Sequence, residues 1–72
     1  MTENKKQIEY IVLCVGRFAE HYNLSLKDAF NFLFKYKGIE FLKEFYEIEH
    51  TLSLEDCVED MLRICKNNGG SI

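Results

Sequence analysis

Proline and tryptophan are absent from these 72 residues, and glycine occurs only at positions 16, 38, 69 and 70. With no proline, nothing within the chain blocks the i to i−4 hydrogen-bond ladder, so helices can run until some other signal stops them. A long apolar run is also missing. The longest, YIVLCV at residues 10–15, is far shorter than the roughly 20 residues needed to cross a bilayer. The opening MTENKKQIEY is charged and has no apolar h-region ahead of a small-residue cleavage site, so no secretory signal is read there. A basic surplus is lacking too. Net charge is −3, with acids gathered between residues 40 and 60, which argues against the positive footprint that phosphate-backbone binding requires. The resulting expectation is a cytoplasmic chain with no membrane segment and no nucleic-acid partner.

Paired cysteine motifs are absent as well. Cys14, Cys57 and Cys65 are odd in number, scattered and set among apolar neighbours, and they read as buried free thiols in a reducing compartment. His21 and His50 add imidazoles, but no C-x₂₋₄-C or H-x₃₋₅-H spacing exists. No metal or cofactor is expected. A nucleophile on Cys57 at a helix start, or acid–base work by Glu55, Asp56, Glu59 and Asp60, is outweighed by a buried thiol and a solvated acidic face. A chain this small also lacks walls for a substrate pocket, so neither catalytic residues nor a small-molecule substrate are expected.

What is present is apolar material. Hydrophobic residues make up 47% of the chain and aromatics 14%, ample for a packed domain. A chain of this length buries only about 60% of its unfolded surface, which makes self-association or a protein partner a reasonable expectation.

The apolar spacing is helical. Ile8, Ile11, Val12, Val15, Phe18, Ala19 and Tyr22 recur on one face over four turns, and this period outweighs a strand reading of YIVLCV. With Tyr10, Leu13 and Cys14 also apolar, this helix is expected at the centre. A second helix is predicted from Ser25, a hydroxyl cap with Asp28 three residues on. Its buried face is predicted as Leu26, Ala29, Phe30, Leu33 and Phe34, with Gly38 as a left-handed stop. The alternation of Phe30, Phe32, Phe34 and Tyr36 leaves a strand as the rival. A third, shorter helix is predicted over residues 39–46, then a connection through EIEHT. A fourth begins at Ser53 and buries Leu54, Cys57, Val58, Met61, Leu62 and Cys65. NNGGSI is read as a frayed tail.

EHYNLSLKDAF at residues 20–30 and EHTLSLEDCV at residues 49–58 nearly coincide. L-S-L-x-D is the pattern of a stapled, capped helix start, and the likeness fades after Val58, so reuse of a cap explains the repeat better than a duplicated site.

Two features suggest docking. On the predicted second helix Phe32 and Tyr36 fall one turn apart on the side away from Phe30 and Leu33, where exposed aromatics would mark a partner surface or dimer seam. The alternative is that neighbouring helices bury both sides. His50 and Thr51, ahead of a capped helix, either satisfy backbone groups there or present an imidazole to a partner.

The order of I-E-Y-x-V-x-C at residues 8–14, AEHYN at 19–23, F-K-Y-x-G-I at 34–39, EFY at 44–46, the His50-Thr51 pair and VEDM at 58–61 resembles a small bacterial helical family of about this chain's length, classed as a domain of unknown function. The resemblance covers nearly the whole chain apart from its tail. It implies no catalytic role for any residue. Family members are often encoded beside proteins similar to ADP-ribosyltransferases, which implies a toxin and a small neutralising partner.

The expected fold is all-α: a bundle of four helices over residues 1–68, with a long central first helix, a short third one and a flexible tail at residues 69–72. The expected function is a non-enzymatic protein–protein interaction module, antitoxin-like in form, with Phe32, Tyr36, His50 and Thr51 as the candidate partner-binding residues. A helix-turn-helix DNA binder, with Lys35, Lys37 and Lys43 on phosphates, is the alternative.

Overall fold

A computed structural model describes residues 2–71, with side chains from residue 5 onward. Five helical segments follow one another: α1 (Thr2–His21), α2 (Leu26–Lys35), α3 (Gly38–Glu44), α4 (Tyr46–Glu49) and α5 (Leu54–Asn67), with no strand among the described residues. The radius of gyration is 11.2 Å, the value of about 11 Å expected for a folded chain of this length.

The two serines act as the sequence predicts. Ser25 and Ser53 sit in extended backbone at φ −70° and −67°, and their Oγ atoms accept from the backbone N–H of Asp28 at 3.0 Å and of Asp56 at 3.1 Å. Each satisfies one of the donors that a helix start leaves unpaired. The near-repeat is therefore one capping device used twice.

The helix ends are set by left-handed residues. Asn23 takes φ +56°, Leu24 N–H returns to the Ala19 carbonyl at 2.8 Å, and α1 closes in a Schellman turn. After α2, Lys37 takes φ +74° and turns the chain out of the helix. Gly38, predicted as that stop, is instead the first residue of α3, and the reason for glycine there is space. A Cβ at this position would meet Leu33 Cδ2 at 2.9 Å and Cys65 Sγ at 3.1 Å.

The predicted third helix is interrupted at Phe45 (φ −107°, ψ 23°), which separates α3 from the single turn of α4. Part of the predicted connection is thus helical. At the far end, Gly69 (φ +94°) and the bond from Gly70 N–H to the Cys65 carbonyl, 2.8 Å, close α5 in a second Schellman turn. Gly70 is buried, and a Cβ there would strike the Tyr36 ring at 2.8 Å. The segment predicted as tail thus begins with a turn packed on α2; Ile72 lies outside the described residues.

One core joins the helices. Cys14, Val15, Phe18 and Ala19 of α1, Ala29 and Leu33 of α2, Ile39 and Leu42 of α3, and Cys57, Val58, Met61 and Cys65 of α5 make it. α1 packs on α2, α3 and α5, and its Tyr10 ring meets Tyr46 of α4 edge-on with centroids 5.5 Å apart. Yet α1 is not enclosed, because Ile8, Val12 and Leu13 each remain more than half exposed.

Candidate interaction surface

The position of α2 on its neighbours decides which aromatics meet solvent. Ala29 and Leu33 form its fully buried stripe, and at 100° per residue Phe32 and Phe30 flank that stripe on opposite sides. Phe18 of α1 occupies the Phe32 side, with ring centroids 5.9 Å apart and planes 21° apart. Phe32 in turn touches Tyr36 at 5.0 Å, and Tyr36 covers Gly70. Both residues are half-buried and packed on the core. The predicted outward position of Phe32 and Tyr36 is therefore corrected: α1 and the turn after α5 claim that side of α2.

The opposite side is open. Phe30 is 44% exposed and Phe34 67%, their rings stacked at 6.0 Å, and Leu26 is more than half exposed. All three were predicted to be buried. Across the α1–α2 seam, Leu26 and Phe30 join Ile11, Val12 and Val15 around an apolar cavity of about 200 Å³. Ile8 lies one turn before Val12 on α1, and Phe34 one turn after Phe30 on α2. The result is an uncovered hydrophobic strip shared by two helices, wider than the scattered single apolar residues that a monomer normally shows.

His50 and Thr51 are exposed, but their polar atoms turn inward to the chain. His50 Nδ1 lies 2.7 Å from the Tyr46 carbonyl and must carry the proton there, since a carbonyl only accepts. Its ring stacks on Tyr46 at 4.6 Å. Thr51 Oγ1 donates to the Ile48 carbonyl at 2.7 Å. The pair finishes the C-terminal end of α4, and His50 Nε2 is the atom left for a partner.

A polar cluster is buried between α1, α4 and α5. Tyr10 OH donates to Cys57 Sγ at 3.2 Å, and Cys57 and Cys14 sulfurs lie 3.2 Å apart. The hydrogen bond with Cys57 lowers the Cys14 thiol from its ordinary value against the opposing effect of burial. The same contact and burial raise Cys57, burial raises Cys65, and burial with the thiol contacts raises Tyr10. Glu49, only 5% exposed, has an Oε1 with no hydrogen-bond partner, and burial, with the neighbouring Asp60 carboxyl, pushes its carboxyl up to about 7. Sequence reasoning placed Glu49 in a connection and missed this group; only the break at Phe45 turns it inward.

Two of the acidic candidates of α5 make ion pairs. Glu55 is exposed and paired with Arg17 of α1 at 3.0 Å, and Asp60 accepts from Arg63 at 3.0 Å. Among the described residues no group of three His, Cys, Asp or Glu side chains is placed to hold a metal ion, and no helix is long and apolar enough to cross a membrane.

Fold and surface together define a small domain, all-helical in its described residues, with an uncovered apolar seam between α1 and α2. Residues 9–68 match DUF3791, described as a protein of unknown function, and the chain belongs to that family. No curated protein and no solved structure matches it.

Proposed function

We propose that the chain is a non-enzymatic protein–protein interaction module that docks through the α1–α2 seam. The observation that carries this reading is the continuous strip of Ile8, Val12, Leu26, Phe30 and Phe34, which the fold leaves in water although the same helices bury Phe18 and Leu33 completely. A shallow groove between α1 and α2 suits an amphipathic helix, whose apolar side would cover the strip and fill the cavity beside Phe30. His50 and Thr51 would lie outside that contact. The antitoxin-like form of this function, in which the bound protein is an enzyme held inactive, follows from the family resemblance and takes the same docking surface.

The DNA-binding alternative finds less support. The exposed charges of α3 are Glu40, Lys43 and Glu44, two acids to one base, and Lys37 is already paired with Glu40 at 3.5 Å.

The test is a pull-down from the native cytosol with wild type beside Phe30→Ser/Phe34→Ser, together with sedimentation of the isolated chain. A stoichiometric partner lost in the variant supports the module. A wild-type dimer converted to a monomer would make the partner a second copy. A partner kept at full yield by the variant would remove the seam from the interaction.

A further inference from the structure

The buried thiols of α1 and α5 have no part in the docking seam, and their arrangement suggests a chemistry of its own. Cys14 and Cys57 come from residues 43 apart in sequence, yet their sulfurs lie 3.2 Å from each other inside the core. A disulfide needs about 2.04 Å between sulfurs, so the two must close by little more than 1 Å. Cys65, the third thiol, lies elsewhere in the core, beside Gly38. Two hydrogen bonds order the pair. Tyr10 OH donates to Cys57, and a second hydrogen bond joins the Cys57 and Cys14 sulfurs, either of which can be its donor. The contact shifts the two thiols apart, Cys14 downward and Cys57 upward, so Cys14 is the one more readily ionised.

We propose that Cys14 and Cys57 are a redox modification site, closed into an α1–α5 disulfide by hydrogen peroxide and reopened by small thiols. Peroxide is the oxidant that suits the position, because Cys14 and Cys57 are both fully buried and a molecule hardly larger than water is the one that brief openings of the core admit. Cys14 thiolate attacks one peroxide oxygen and the O–O bond breaks. The sulfur becomes a sulfenic acid, and the departing hydroxide takes up the proton that Cys14 released on ionising and leaves as water. Cys57 sulfur then attacks Cys14 sulfur, the S–O bond breaks, and the sulfenic oxygen leaves as a second water carrying the Cys57 proton. Two thiols and one peroxide give one disulfide and two waters. Two equivalents of a small thiol reverse the change by exchange and leave as their own disulfide.

The experiment uses the wild-type chain. Folded protein is treated with hydrogen peroxide at neutral pH, then unfolded in N-ethylmaleimide, and the intact mass and linked peptides are determined. The expected product has lost two hydrogen atoms, carries one alkylated thiol at Cys65, contains a single Cys14–Cys57 link and reverts with dithiothreitol. Its melting temperature should rise by several degrees and return on reduction. In urea, where the helices no longer hold the pair together, links to Cys65 should appear as well. Links to Cys65 from the folded chain, or oxygen adducts on Cys14 or Cys57 without a link, would overturn the proposal.

Discussion

Phe18 and Phe32 stack across the α1–α2 interface with centroids 5.9 Å apart and planes inclined by 21°, and this contact orients α2. It pulls one flank of the helix onto the core and turns Phe30 and Phe34 to solvent. The two flanks should therefore respond oppositely to substitution. Phe32→Ser should cost about 2 kcal/mol by removing buried aromatic surface, while Phe30→Ser/Phe34→Ser should stay within about 1 kcal/mol of wild type. Urea unfolding of the two variants decides this, and equal losses would mean that the Phe18 contact does not set the face.

The duplicated cap gives a second prediction. Ser25→Ala and Ser53→Ala each remove an acceptor for one first-turn N–H and should each cost about 1 kcal/mol. In a domain of this size that is a fall of roughly 4–8 °C in melting temperature. The two sites lie on different helices, so the double variant should show a nearly additive loss by calorimetry.

Gly38 is held by space rather than by backbone conformation. Gly38→Ala would press a methyl group against Leu33 and Cys65 and should destabilise by about 1–3 kcal/mol. Gly16, which has open space around a Cβ, should instead gain up to about 1 kcal/mol as alanine because it lies within α1. Opposite signs for the two alanine variants in chemical denaturation are the expected outcome.

Glu49 predicts a pH dependence. Its carboxyl is raised from 4.5 to about 7 by burial and by Asp60, so the folded chain holds this proton more tightly than the unfolded one. The contribution is full below about pH 4.5 and is lost as pH rises through about 7. The loss amounts to about 3 kcal/mol at one pKa unit per 1.36 kcal/mol. Glu49→Gln keeps the shape and removes the titration. Its stability advantage over wild type should grow from pH 5 to pH 8, and a difference independent of pH would reject the assignment.

Ser25, Ser53 and the period of α1 and α5 were legible in the sequence because capping and amphipathic spacing are local properties. The side of α2 that faces the core was not, because Ala29 and Leu33 are flanked by apolar residues on both sides and only Phe18 and Gly70 choose between them. The break at Phe45 carries no glycine or proline to announce it. The burial of Glu49, which depends on that break, was equally hidden. Gly38 was identified as special for the wrong reason, since Lys37 takes the left-handed turn and the glycine answers to crowding.

The placement of α5 bears on how the chain is made. Cys57, Val58, Met61 and Cys65 supply a third of the buried core, and they are the last part of it to be synthesised. Until they leave the ribosome, α1, α2 and α3 present the apolar surface meant for α5 as well as the seam beside Phe30 and Phe34. The nascent chain is thus stickier than the finished protein, and a partner that covers the seam early would shield the chain at the stage when aggregation competes most strongly with folding.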